Sequence, residues 1–191
     1  CHGAARTDRG RRAVQQPIVR QMDTHCERPI IFPLSNPTAH CEAIPVDLIN
    51  WTEGRAIVAT GSPFDDVVYD GQRHPVGQGN NAFVFPGIGF AAILGRCRRI
   101  SDAMVIESAF ALADYTAQHY LAQGGRIFPP IADLRQVSVA VAARVLRVAL
   151  RDGSARRSDL DPDDLPALSA FVQSRCWRPE YLPYVLADGA P

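Results

Sequence analysis

Three short polar segments carry the side chains best suited to hold a small polar ligand: LSNPT (34–38), TGSPF (60–64) and GQGNN (77–81). Asn36, Ser62, Asn80 and Asn81 are neutral groups with both donors and acceptors. Such groups can hold a carboxylate, a carboxamide or a ribose hydroxyl without bringing net charge. The same residue types are ordinary turn formers, so a purely structural role for each remains open at this level. Gly77-Gln78-Gly79-Asn80-Asn81-Ala82 fits the spacing GxGxxA of a dinucleotide fingerprint. That fingerprint should follow a hydrophobic strand directly and have an acidic ribose partner further on. Here QRHPV (72–76) precedes it, and the acid at the right distance, Asp102, reads as a helix cap. A loop feeding a helix N-terminus is the better description.

Other constellations point less far. His25-Cys26 and His40-Cys41 repeat a potential metal-ligating pair, at a spacing that matches no standard zinc module. Cys41 and Cys97 have no histidine linked to them by a nucleophile signature. Asp65-Asp66 would suit a hard cation but equally an exposed turn. Arg96, Arg98 and Arg99 follow a helix end, where they complement its dipole or contact phosphate.

Composition narrows the chemistry further. All twenty basic residues among the 191 are arginine, and they balance twenty acidic ones. With no lysine, the chain cannot supply a P-loop lysine, a Schiff base or a lysine general base. A net charge of zero argues against nucleic acid as the main partner. The longest apolar run, 82–94, is interrupted by Pro86, Gly87 and Gly89 and is too short to span a membrane. Five widely spaced cysteines, with no CxxC, predict reduced thiols and a cytoplasmic setting. The polar, Arg-rich start shows no secretory leader. Because the first residue is Cys, a processed chain or a fragment is expected.

The elements that would position the three loops follow from the apolar runs. Ile18, Val19 and Met22 fit one face of a short helix ending near His25. Arg28–Leu34 and Arg55–Thr60 read as buried strands of a parallel sheet, with a helix over 42–51 between them. Strand, loop, helix, strand makes a βαβ unit. Extended pieces around Asp70-Gly71 form a turn. An apolar helix starts near Asn81, and a second spans 102–118 with Asp102 as its cap. An amphipathic helix runs over 133–151, with Val137, Val141, Val145 and Val148 inward and Arg144, Arg147 and Arg151 more exposed. Residues 158–166 form an acidic linker or cap. The tail holds Trp177, Tyr181 and Tyr184. The expected fold class is α/β with an open parallel sheet. Residues 1–15 are expected to be an atypical, disordered segment.

The segments RPIIFPLSNPT (28–38), EGRAIVATGSPF (53–64), GQGNNAFVFPGIGFAAIL (77–94) and GRIFPPIADLRQVSVAVA (125–142) together resemble malic enzyme. Trp177, in WRPEY, is similar to that family's tail pattern. The resemblance runs in order from residue 16 to about 185. It assigns 16–191 to the C-terminal part of the NAD(P)-binding domain, including a helical C-terminal tail. The fold that the resemblance implies is a three-layer Rossmann-like parallel sheet that is incomplete, its first nucleotide-binding half missing. It implies oxidation of L-malate with NAD or NADP, then decarboxylation with Mg²⁺ or Mn²⁺ to pyruvate and carbon dioxide, in a homo-oligomeric parent. Asn36 would lie by the substrate and the nicotinamide end of the cofactor. Asn80 and Asn81 would contact substrate, and Ser35 and Ser62 would line the same cleft on the cofactor side.

The family's catalytic lysine and tyrosine, acidic metal ligands and glycine-rich fingerprint belong to segments preceding those matched here. CHGAARTDRGRRAV (1–14) matches neither the strand nor the glycine loop that the resemblance would place there. A truncated, mis-joined or frameshifted product, inactive by itself and partnered with the missing N-terminal part, is the expectation. The alternative is a non-catalytic nucleotide-binding or protein-interaction module with Phe83, Phe85 and Phe90 on an uncovered face.

Overall fold

The computed structural model describes residues 13–120, 126–177 and 179–181. Residues 1–12 of the expected disordered segment 1–15, Tyr184 and the rest of the tail from 182 lie outside these residues, whereas Val14 is placed, its N–H donating to the Glu42 carbonyl at 3.2 Å.

Apolar β-branched runs build a small parallel sheet. β1 (Ile30–Ile31), β2 (Ile57–Thr60) and β5 (Gly77–Gln78) lie in the order β1-β2-β5. Ile31 pairs with Val58, and Thr60 with Gln78. β2 is the central strand, with Val58, Ala59 and Thr60 all buried. That two-sided burial is what a non-alternating apolar run requires. β1 is shorter and less covered than RPIIFPL suggests. Ile31 is buried, whereas Ile30, Phe32 and Leu34 are exposed, so the run alternates as an edge strand does. GQGNN also departs from a pure loop, because Gly77 and Gln78 form β5. β3 (Val67–Tyr69) and β4 (Gln72–His74) make the hairpin around Asp70-Gly71. Both turn residues have positive φ, 48° and 72°, the geometry that favours Asp-Gly there.

α1 (Gln16–His25) and α2 (Pro45–Trp51) cover the sheet through Val19, Leu48 and Ile49. α2 starts at Pro45 rather than at 42, since proline is preorganised for a helix's first turn. A second core lies among the helices α3 (Phe85–Leu94), α4 (Asp102–His119), α5 (Leu134–Arg151) and α6 (Leu165–Arg175). α5 is its axis: Val137, Val141, Val145 and Leu146 are fully buried, while Val148 is half-buried. Asp164 caps α6 by accepting from the Ala167 N–H at 2.9 Å.

Three expectations change here. The α4 cap is Ser101, whose Oγ accepts from the Met104 N–H at 3.3 Å, and Asp102 is already helical. Arg144 and Arg147 are half-buried rather than exposed, because both pair with Glu107 on α4 (2.5 and 3.3 Å). Phe83 is fully buried, Phe90 half-buried and Phe85 61% exposed, so they do not share one open face.

Gly87 lets α3 approach α5 closely. A Cβ there would sit 2.6 Å from Val141 Cγ1, while one at Gly89 would meet nothing within 4 Å. Gly87→Ala is therefore expected to destabilise the fold by about 1–3 kcal/mol through overpacking. Gly89→Ala should stabilise it by roughly 0.5–1 kcal/mol through helix propensity. Urea denaturation of the two variants checks the opposite signs.

Candidate functional site

Because β1, β2 and β5 run parallel, their carboxyl ends lie along one edge of the sheet, where open α/β folds bind ligands. The three loops leaving that edge are bonded side by side. The Gly61 N–H donates to the Pro33 carbonyl (3.2 Å) and the Gly79 N–H to the Thr60 carbonyl (2.9 Å). Gln78 Nε2 donates to the Gly61 carbonyl (3.4 Å). Gly61 makes the closest approach: a Cβ there would lie 2.1 Å from the Leu34 carbonyl oxygen. Only glycine permits this spacing.

The loop side chains are held by neighbours. Ser62 is 4% exposed, and its hydroxyl donates to Asn36 Oδ1 at 2.5 Å. The Ser62 carbonyl accepts from the buried Thr60 hydroxyl at 2.8 Å. Asn36 is exposed, and the peptide bond to Pro37 is cis. Ser35 is bound twice by Glu42: its N–H donates to Oε2 at 3.1 Å and its hydroxyl donates to Oε1. Burial raises the Glu42 pKa, but the Ser35 hydroxyl and backbone bonds outweigh it and hold the carboxyl below its ordinary value. Asn80 Oδ1 accepts from the Ala82 N–H at 2.9 Å, capping the 3-10 turn Asn81–Phe83. Asn81 is exposed at the start of that turn. Asn36, Ser62, Ser35 and the GQGNN segment thus come to one sheet edge, with Asn36 and Ser62 in direct contact.

Beside these loops a cleft of about 130 Å³ is lined by Pro63, Phe64, Gln78, Arg126 and Pro129, among others. Arg126 Nη2 donates to both oxygens of Asp66, at 3.0 and 3.2 Å. Arg73 reaches Asp66 as well, at 2.7 Å. Asp66 is thereby committed to guanidinium partners and is not half of a cation site. Among the described residues no three His, Cys, Asp or Glu side chains gather closely enough to hold a metal ion. His25 ends α1 and His40 ends the 3-10 turn Thr38–His40. Among the described residues Cys26, Cys41, Cys97 and Cys176 form no disulfide.

The glycines of GQGNN face protein rather than open space. A Cβ on Gly77 would lie 3.4 Å from the Phe128 ring, and one on Gly79 would lie 3.0 Å from Leu34 Cδ2. They serve packing, and a pyrophosphate cradle does not fit here. The Asn36 amide at the sheet edge does fit a polar, hydrogen-bonding ligand group. Glu42, Thr60 and Arg126 escaped the sequence reading. Glu42 stands seven residues beyond Ser35, and Arg126 sixty beyond Asp66, and neither separation marks a pair.

A family model for the malic enzyme NAD-binding domain matches residues 7–150. The chain belongs to the malic enzyme family. Curated malic enzyme relatives include the NAD-dependent malic enzymes of Aeromonas hydrophila (44% identical over 171 residues) and Edwardsiella ictaluri (43% identical over 171 residues). Each alignment covers 88% of this chain and 29% of the relative, so the chain spans about 29% of the length of these relatives. The crystal structure of Entamoeba histolytica malic enzyme is similar at a TM-score of 0.65 and 28% identity, covering 86% of this chain and 30% of that one. Malic enzyme from Pyrococcus horikoshii follows at a TM-score of 0.61 and 25% identity, covering 88% and 34%. The Rossmann-like α/β architecture, with a few parallel strands flanked by helices, is that of these malic enzymes.

The Glu42 clamp has a pH signature. A carboxyl whose folded pKa is depressed stabilises the fold above its ordinary value, and loses that contribution as pH falls through the folded value. Stability should therefore decline as pH drops below about 4.5. Glu42→Gln, which keeps one acceptor oxygen but cannot ionise, should be less stable at neutral pH and show a shallower acid decline. Thermal melts from pH 3 to 7 provide the comparison.

Proposed function

We propose that this chain supplies the substrate-positioning side of a malic enzyme site, within a protein that oxidises L-malate and decarboxylates the product to pyruvate and carbon dioxide. The observation that supports this most directly is the meeting of three polar loops at the carboxyl edge of the sheet, with the exposed Asn36 amide oriented by buried Ser62. In this reading Asn36, Asn80 and Asn81 bind the substrate, while Ser35, Asn36 and Ser62 line the nicotinamide end of the cofactor cleft. The amides orient carboxylate and carbonyl oxygens by neutral hydrogen bonds, which fix geometry while cationic groups elsewhere supply charge.

NAD, the cofactor in the names of the relatives, would accept hydride from the malate carbinol carbon when bound. NADP remains the alternative nucleotide. In this reading the divalent ion, Mg²⁺ or Mn²⁺, a lysine general acid/base and the catalytic tyrosine belong to the remainder of the enzyme. The chain is read as residues 16–191 of the nucleotide-binding domain preceded by an atypical segment, in a cytoplasmic homo-oligomer. Among the described residues no helix is long and apolar enough to cross a membrane.

The competing reading is a non-catalytic interaction or nucleotide-binding module. Phe85 (61% exposed) and Ile93 (74%) on α3 are the observations in its favour. Calorimetry of the 191-residue chain with NAD, NADP and L-malate separates the two. Saturable binding, weakened several-fold by Asn36→Ala as expected for a lost hydrogen bond of about 1 kcal/mol, supports the site reading. No binding, together with concentration-dependent self-association by sedimentation, supports the interaction module. With Mg²⁺ or Mn²⁺, NAD and malate present, the chain alone should form no NADH. Turnover by pure protein would show that the missing lysine is not required.

A further inference from the structure

The contact between Ser62 and Asn36 does more than hold a loop, because it decides which end of an amide faces outward. Ser62 is 4% exposed, and its single hydroxyl proton points to Asn36 Oδ1 at 2.5 Å. Among the described residues no other acceptor takes that proton. An Asn36 amide turned the other way would offer N–H to Ser62 Oγ and leave a buried hydroxyl proton without an acceptor, which is the unfavourable arrangement. Ser62 cannot swing away easily. Its carbonyl takes the hydroxyl of fully buried Thr60 at 2.8 Å, and the preceding Gly61 lies against the Leu34 carbonyl. Asn36 therefore has its oxygen turned inward to Ser62, and among the described residues no acceptor takes its Nδ2 hydrogens at the exposed edge. Asn80 shows the same polarity, its Oδ1 being committed to the Ala82 N–H at 2.9 Å.

We propose that Ser62 is a positioning residue that fixes which way the Asn36 amide faces, so that Asn36 presents its Nδ2 hydrogens outward and the ligand atom it holds is an acceptor, a carboxylate or carbonyl oxygen. This rests on the reading of Asn36 as a ligand contact. It refines that reading by assigning Ser62 to the protein side of the contact rather than to the ligand. Groups that must donate at this position are disfavoured, because a site built with one polarity leaves the mismatched group unpaired.

Nuclear magnetic resonance titration with pyruvate, on the wild-type 191-residue chain and on Ser62→Ala, Asn36→Ala and the double variant, tests the proposal. Loss of one orienting hydrogen bond predicts roughly five- to tenfold weaker pyruvate binding in Ser62→Ala. That loss should vanish in the Asn36→Ala background, because Ser62 acts only through Asn36. A loss that persists in the Asn36→Ala background would overturn the proposal, as would a Ser62→Ala variant that binds pyruvate like the wild type. Asn36→Asp, which changes an exposed residue, does not depend on Ser62→Ala folding. It presents only acceptors and should bind pyruvate more weakly than Asn36→Ala, and wild-type binding by it would overturn the idea. If the wild-type chain binds no pyruvate, the site reading fails and the free protein decides about Ser62. The Asn36 side-chain amide signals, identified by their absence in Asn36→Ala, should then be displaced from the free-amide position. They should collapse toward it in Ser62→Ala, and signals unchanged by that substitution would refute the positioning role.

Discussion

The site depends on how closely β1 and β2 approach beyond their carboxyl ends. Gly61 lies so near the Leu34 carbonyl that a Cβ would stand 2.1 Å from the oxygen. This contact brings TGSPF against LSNPT and lets a buried serine on one loop reach an exposed asparagine on the other. The ladder bonds on either side, from Gly61 to Pro33 and from Gly79 to Thr60, extend the sheet's spacing into the loops. The loops therefore inherit the rigidity of β2, which is buried on both faces from Val58 to Thr60. A site carried on short, tied loops at a sheet edge is held more accurately than one on free loops.

A second constraint ties this edge to the helical layer. Phe128 stacks near Phe83 (centroids 6.5 Å apart) and lies 6.1 Å from Phe32, while Gly77 and Gly79 leave it room. One aromatic ring thus joins β1, β5 and the turn leading into α3. Behind it, α5 packs on α3, α4 and α6, and the Arg144 and Arg147 pairs with Glu107 lock α5 to α4. The guanidinium groups are half-buried and paired, so their removal would strand Glu107, itself largely covered. Arg126 plays a comparable part at the cleft by neutralising Asp66 and joining the hairpin to the segment that carries Phe128.

Much of this was readable residue by residue. Asp70-Gly71 announced its hairpin because positive φ at both positions restricts the choice of residue. The Val137, Val141, Val145 stripe announced α5 because burial on one face imposes a helical period. LSNPT and TGSPF were recognisable as strand ends because apolar runs stop at Ser35 and Gly61, whereas β5 was not, because QRHPV before GQGNN is no apolar run. What escaped the reading were partners distant in sequence. Glu42 on Ser35, Glu107 on Arg144 and Asp66 on Arg126 are ion pairs or hydrogen bonds that no local pattern encodes. Ser101 rather than Asp102 caps α4, since neighbouring cap residues differ by one dihedral state that tertiary packing selects.

The sequence by itself determined the kinds of element, the order in which they occur and the neutral chemistry of the loops. Those follow from local backbone preferences and from which side chains carry donors and acceptors. The absence of lysine likewise removed amine chemistry before any fold was considered. Only the tertiary structure decided that Asn36 meets Ser62, that Glu42 clamps Ser35 and that Asp66 is an ion-pair partner rather than a cation ligand. Such contacts depend on chain closure across dozens of residues, and their geometry exists only after the cores have packed.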